Sequence, residues 1–355
     1  MSNANSTAPT SGMSSPVKAT TDESKTDAKP KGWIILQQKL KEGEELNITY
    51  TIQRIVDTFE KYGFEMRVIN SRDIDIYLTN YERKSIVIKN VVTKLPDFVL
   101  SRTGISTNFA TMAIYRHLER LGVPVLNKSE AVDSAKDKLY SLQILAQNKI
   151  PVPKTMLLRF PLNVEYVTKR LGVPIIIKCL SGQKVTNVFL AKTKDELQTY
   201  CDLLESVNPN IPMIFQEFLQ HSFGRDVRVV VINGKVVGAM MRSNEHDFRA
   251  NIHRGGVGSP FKLNNHAEYM ALQTAKLLGL DFAVIDLLFD DAKGKKFRVS
   301  HCNSSPVLET FEKVTGLDVA GSLITMIRYK CGIAPPIELE EEDENGVEEN
   351  AEETQ

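Results

Sequence analysis

Asp286 interrupts the apolar run Ala283-Val284-Ile285-Asp286-Leu287-Leu288. A carboxylate in such a setting needs a partner or a metal ion. His301 and Asn303 follow in the segment Phe297–Asn303. Side chains alternate faces along a strand, so these two share one face. If the two segments pair, Asp286 faces them, and three groups able to ligate a metal or contact phosphate converge. On spacing alone a solvated polar stripe is the favoured reading, and the carboxylate within an apolar run is what argues for a site. A second constellation is basic: Arg225, Arg228, Arg242, Arg249, His253 and Arg254, around one hairpin and the stretch Asp247–Gly256. Guanidinium forks suit phosphate oxygens. A solvent face is normally richer in lysine, whereas residues 242–254 contain none. Lys178, ending the β-branched run Val173–Lys178 ahead of Ser181-Gly182, is a candidate phosphate lysine.

The elements that must position these groups fall into three stretches. Apolar segments at Gly32–Leu36, Glu65–Ile69, Pro96–Leu100 and Val123–Asn127 read as strands. They alternate with helical spacing over Ile52–Tyr62 and Ala110–Leu121, implying a largely parallel α/β layer. A helix is expected from Ser134 to Lys149, stopped by Ile150-Pro151-Val152-Pro153. Lys154–Leu158, a helix at Val164–Leu171 and Val173–Lys178 then suggest a small α+β unit. Beyond Ile211 the strands lengthen. Val227–Ile232 and Lys235–Met241 flank Asn233-Gly234, a pair suited to a type I′ hairpin. A helix at Ala267–Leu278 precedes the Ala283–Phe289 and Phe297–Asn303 pair.

The 355 residues carry 44 basic and 44 acidic groups, but the zero conceals an uneven distribution. Ten acids and no Lys or Arg lie between Glu338 and Glu353, so residues 31–337 carry a net +10. The acidic stretch reads as a solvated, self-repelling tail, and the polar first 30 residues cannot bury enough surface to fold. No apolar run approaches the roughly 20 residues of a spanning helix, so no membrane partner is expected. The four cysteines sit far apart and lack C-x-x-C spacing, so neither a disulfide framework nor a zinc site is indicated. With no targeting segment visible, the cytoplasm is the expected location.

Together these segments resemble the RimK-type branch of the ATP-grasp superfamily. The matching residues are Gly224-Arg225-Asp226-Val227-Arg228, Asp247–Gly256 (DFRANIHRGG), Val284–Leu288, Asn303-Ser304-Ser305-Pro306, Leu308-Glu309, Glu312-Lys313 and Thr315-Gly316. The resemblance runs over roughly residues 95–325. It implies α/β and α+β architecture: an N-terminal parallel α/β (pre-ATP-grasp) domain over 31–130, then a two-lobed ATP-grasp fold. The small lobe would span 131–207 and the C-terminal lobe 208–333, with disordered tails at 1–30 and 334–355.

The resemblance further implies a ligase that phosphorylates a carboxylate with ATP and passes the acyl group to an amine. Glutamate is the common amino-acid substrate, and a peptide, protein terminus or small metabolite the acceptor. Lys138 and Lys178 would lie on the nucleotide, the backbone at Glu217 and Phe218 against adenine, and Asp226 near the ribose. Arg249 and Asn251 would sit at the reacting phosphate, with Arg249 and Arg254 as the catalytic pair. Asp286, His301 and Asn303 would hold Mg²⁺ or Mn²⁺. Four positions depart from the family: His301 replaces a Glu, Val185 and Asn187 replace phosphate-loop glycines, and Val307 replaces a Gly. These departures open an alternative, a catalytically impaired ATP-grasp protein acting as a nucleotide-binding scaffold or regulator. Nucleic acid is not expected except through a ribosomal acceptor, and the resemblance leaves a homo-oligomer open.

Overall fold

Trp33 to Leu36 are buried throughout, the pattern of a strand covered on both sheet faces. This strand, β1 (Lys31–Leu36), is followed by α1 (Tyr50–Lys61), β2 (Glu65–Asn70), β3 (Ile74–Ile76), β4 (Ile86–Ile88), β5 (Val91–Val92), β6 (Phe98–Ser101), α2 (Phe109–Arg120) and β7 (Val125–Leu126). The order β2-β1-β6-β7 is parallel throughout, as expected of the α/β layer. Strands β3–β5 form a separate small sheet, too short for any periodicity to show in sequence. The computed structural model describes residues 28–41, 43–78, 80, 85–180 and 188–334. Nearly all of both expected tails, together with Gly182, Val185 and Asn187, lies outside these residues.

The helix expected over Ser134–Lys149 is in fact two, α3 (Ser129–Lys136) and α4 (Lys138–Gln147). Asp137 divides them. Its backbone is extended (φ −81°, ψ 105°), and its carboxylate accepts from the N–H groups of Leu139 and Tyr140 at 2.9 and 3.0 Å. It therefore caps α4 instead of continuing α3.

The small lobe comprises β8 (Thr155–Leu158), α5 (Val164–Leu171), β9 (Ile175–Cys179), β10 (Val188–Ala191), α6 (Lys194–Val207) and β11 (Met213–Glu217). Its sheet order is β10-β9-β11-β8, all antiparallel. Both expected lobe boundaries differ from this arrangement. Met213 and Phe215 of β11 share a core with Val167, Ile177 and Leu197, so the small lobe extends past residue 207. Helices α3 and α4 instead pack Ala131, Ala135 and Leu145 against the large lobe.

The large lobe contains β12 (Arg225–Ile232), β13 (Lys235–Ser243), β14 (Val257–Pro260), α7 (Asn265–Leu277), β15 (Phe282–Phe289), β16 (Phe297–Asn303), α8 (Glu309–Thr315) and α9 (Val319–Cys331). Its sheet order is β14-β13-β12-β15-β16. Asn233 and Gly234 take φ 48° and 69°, the left-handed pair a type I′ turn requires. One sheet face packs Val227, Val229, Ile285 and Leu287 on α7, α3 and α4. The other face is divided along its length. Val230, Ile232, Phe282 and Val284 share a core with Ile34, Phe59 and Phe98 of the N-terminal domain and with α9. Further along the same face come Asp226, Arg228, Asp286 and His301, where the covering domain ends. Among the described residues, no helix is long and apolar enough to cross a membrane.

Candidate active site

A cleft of about 360 Å³ opens between the two lobes, within the range of small-molecule sites. Strand alternation builds its small-lobe wall. Ile176 and Lys178 point the same way from β9, and the β11 residues opposite them, Gln216 and Ile214, line the cleft too. The large-lobe wall is the uncovered end of the divided face, contributing Asp226, Arg242, Asp286, Leu288 and His301. Helix α4 brings Lys138 and Leu142, and the loop after β13 brings Phe248, Arg249 and Asn251. The Asp137 cap is what starts α4 at Lys138.

Each carboxylate of the wall is paired with a guanidinium, and among the described residues Lys138 and Lys178 have no carboxylate partner. Arg228 and Asp286 are direct cross-strand neighbours, as are Asp286 and His301. Arg228 donates to both Asp286 oxygens, at 2.9 and 3.0 Å, and Arg242 Nη2 lies 3.3 Å from Oδ2. Burial opposes ionisation of Asp286, but Arg228 and Arg242 prevail and hold it well below the usual carboxylate range. Arg242 also forks onto Asp226 at 2.7 and 2.6 Å. Burial still raises the Asp226 carboxyl. Arg249 is held by Asp247, donating at 2.9 and 2.7 Å, and reaches the Val188 carbonyl of the small lobe. Lys178 is pushed down to about 8 by burial and by Lys138, against the attraction of Asp286. Burial lowers Lys138 as well. Two desolvated ammonium groups facing one cavity are costly alone and are relieved by a polyanion.

Of the site residues the resemblance implies, the cleft brings together Lys138, Lys178, Glu217, Phe218, Asp226, Arg249, Asn251, Asp286 and His301. Two stand apart from its wall. Arg254 lies behind Asp247, with Nη1 3.8 Å from its carboxylate, and its carbonyl accepts from Asn244. Asn303 shares the face of His301, as alternation predicts, but its Oδ1 accepts from the Ser305 N–H at 2.9 Å. Val307 is exposed and is absent from the residues of positive φ, so replacing glycine there strains nothing. Sequence reasoning missed Ile176 and Ile214, although stepping back two residues from Lys178 finds the first. It also missed the Glu217 carboxylate, which accepts from Arg298 and from the Lys154 N–H at 2.7 Å. No local pattern signals that long-range pairing.

The resemblance implies Mg²⁺ at Asp286, His301 and Asn303, and the donors there do not suit that ion. Asp286 has both oxygens on guanidinium groups, Asn303 is turned to a backbone N–H, and His301 offers an imidazole. Among the described residues no three His, Cys, Asp or Glu side chains form a metal-holding group. A hard cation wants several free oxygen ligands, and these residues do not supply them.

Comparison with known proteins places the chain. A RimK-like ATP-grasp domain model matches residues 135–327, and a RimK PreATP-grasp domain model matches 43–132. The chain belongs to the RimK-like ATP-grasp family. A probable alpha-L-glutamate ligase of Aliivibrio fischeri (strain MJ11) is 35% identical over 281 residues, covering 78% of this chain and 91% of the relative. A probable alpha-L-glutamate ligase 1 of Shewanella amazonensis (strain ATCC BAA-1098 / SB2B) is 34% identical over 291 residues, covering 81% and 93%. The ATP-grasp ligase PsnB, solved with a phosphomimetic variant of its minimal precursor, Mg and ADP, shares the fold with TM-score 0.65. It is 20% identical and covers 84% of this chain and 98% of its own. D-alanine–D-alanine ligase from Bacillus anthracis follows with TM-score 0.57 at 17% identity, covering 86% and 97%.

Proposed function

We propose that this protein is an ATP-dependent carboxylate–amine ligase working through an acyl phosphate, with glutamate the first candidate for its amino-acid substrate. The observation that carries the reading is the pair of half-buried lysines, Lys138 and Lys178, facing Arg249 across one interlobe cleft. Together these cations form an anion-binding wall. Glu217 and Phe218 at the lobe hinge would receive the base, and the Asp226 side would take the ribose. A substrate carboxylate oxygen attacks the γ-phosphorus and ADP leaves. The amine nitrogen then attacks the acyl carbon, phosphate departs and the nitrogen loses its proton. Lys178 and Arg249 stabilise charge on the transferring phosphoryl oxygens. Arg249 suits that position because Asp247 fixes its fork while Val188 ties it to the opposing lobe.

The names of the relatives support glutamate, and the precursor-bound PsnB structures support a peptide as acceptor. The test is ADP release with ATP and each common amino acid, alone and with peptide acceptors ending in glutamate. Release that requires glutamate and disappears in Lys178→Met supports the proposal; nucleotide binding without release under any pairing overturns it. That second outcome is the scaffold reading, which the engagement of Asp286 by Arg228 and Arg242 favours.

A further inference from the structure

We propose that this protein takes its nucleotide without a divalent ion, meeting the phosphate charge with Lys138, Lys178 and Arg249 while Asp286 anchors arginines. The inference rests on the reading of the cleft as an ATP site. Its first support is the disposition of the acids. Five cationic side chains and three carboxylates line the cleft, and each carboxylate is committed to a guanidinium. Glu217 is on Arg298, Asp226 on Arg242, and Asp286 on Arg228. A metal ion at Asp286 would have to displace a two-point charge-assisted contact and leave Arg228 desolvated beside a dication.

The second support is His301. It stands directly opposite Asp286 across β15 and β16, with Nδ1 3.7 Å from Oδ2. A carboxylate at this place would add a second hard oxygen donor, whereas an imidazole adds none and suits softer ions. The third support is the supply of positive charge. Among the described residues neither Lys138 nor Lys178 forms an ion pair with a carboxylate, and Lys178 gains only the attraction of Asp286 against the repulsion of Lys138. The wall is thus already in cationic excess. A polyphosphate alone satisfies it, and a metal-bearing polyphosphate of lower charge satisfies it less well.

The experiment is calorimetric titration of the full chain with ATP, once in EDTA and once in excess Mg²⁺. The inference expects dissociation constants within about threefold of each other, and weaker binding in Lys178→Met in the EDTA buffer by about tenfold. Wild-type affinity lower in EDTA by more than about tenfold overturns the inference while leaving the ATP site intact. No binding in either buffer overturns the ATP reading itself, and the inference with it. His301→Glu provides the converse arm, with Mg²⁺ expected to tighten ATP binding by about tenfold in this variant only. An unchanged response there overturns the role given to His301.

Discussion

Lys178 is a half-buried cation with no carboxylate ion pair among the described residues, and this has consequences for both binding and stability. Its pKa is pushed down to about 8, first by burial and then by Lys138. The ammonium is the form that holds phosphate, so ATP affinity should fall as pH rises through about 8, read by titration at several pH values. Folding stability has the opposite sign. The cost of the buried charge is present below about 8 and is relieved as pH rises from there toward the unfolded value of 10.5. Lys178→Met should therefore raise stability at pH 7 on the order of 2 kcal/mol in chemical denaturation while weakening ATP binding. Asp286→Asn should cost on the order of 3 kcal/mol, because Arg228 loses its counter-charge while Arg242 keeps only Asp226. Adding Arg228→Met should recover part of that loss. Much of this site was legible as residue types. The spacing put His301 and Asn303 on one face, and Asp286 stood out in its apolar run. What the spacing could not convey was the use each group is put to: Asp286 holds arginines, and Asn303 holds a turn.

At the scale of elements, positions in the cleft are set by short devices at the ends of helices and strands. Asp137→Ala should cost about 1 kcal/mol through loss of the α4 cap and weaken ATP binding, because Lys138 is the first residue of that helix; thermal melts and titration check the two effects. Gly224 is the other device. At φ +60° it leads into β12, its N–H donates to the Phe248 carbonyl, and its own carbonyl accepts from Asn244. A Cβ there would lie 2.0 Å from the Asn244 carbonyl oxygen. Gly224→Ala should displace the loop bearing Arg249, seen as lost nucleotide affinity beyond the stability loss. The element pattern was legible wherever periodicity lasted. The long strands and most helices follow their apolar spacing, and the Asn233-Gly234 turn follows its dipeptide. Asp137 broke the one long helix because a side chain outcompeted the helical backbone bond, and β11 joined the small lobe because its partners are distant in sequence.

For the whole molecule, the cores define what moves and unfolds together. The small lobe has its own core, whereas the N-terminal domain and large lobe share one. Asn127 fastens that shared core: its amide donates to the Phe282 and Ser304 carbonyls at 2.7 and 2.9 Å and its oxygen accepts from the Phe282 N–H at 2.8 Å. Asn127→Leu should cost about 3 kcal/mol, about 1 for each bond. Hydrogen exchange should show residues 155–180 and 188–217 opening as one unit, apart from β1, β6, β12 and β15, which should exchange together. The divided face of the large sheet also decides how the gene can be cut. Its cleft end is polar and tolerates water, but Val230, Ile232, Phe282 and Val284 share their core with the N-terminal domain as well as with α8 and α9. A fragment beginning at residue 131 would present half of that apolar strip to solvent. Such a fragment should precipitate or self-associate on expression, however complete its catalytic motifs look on paper.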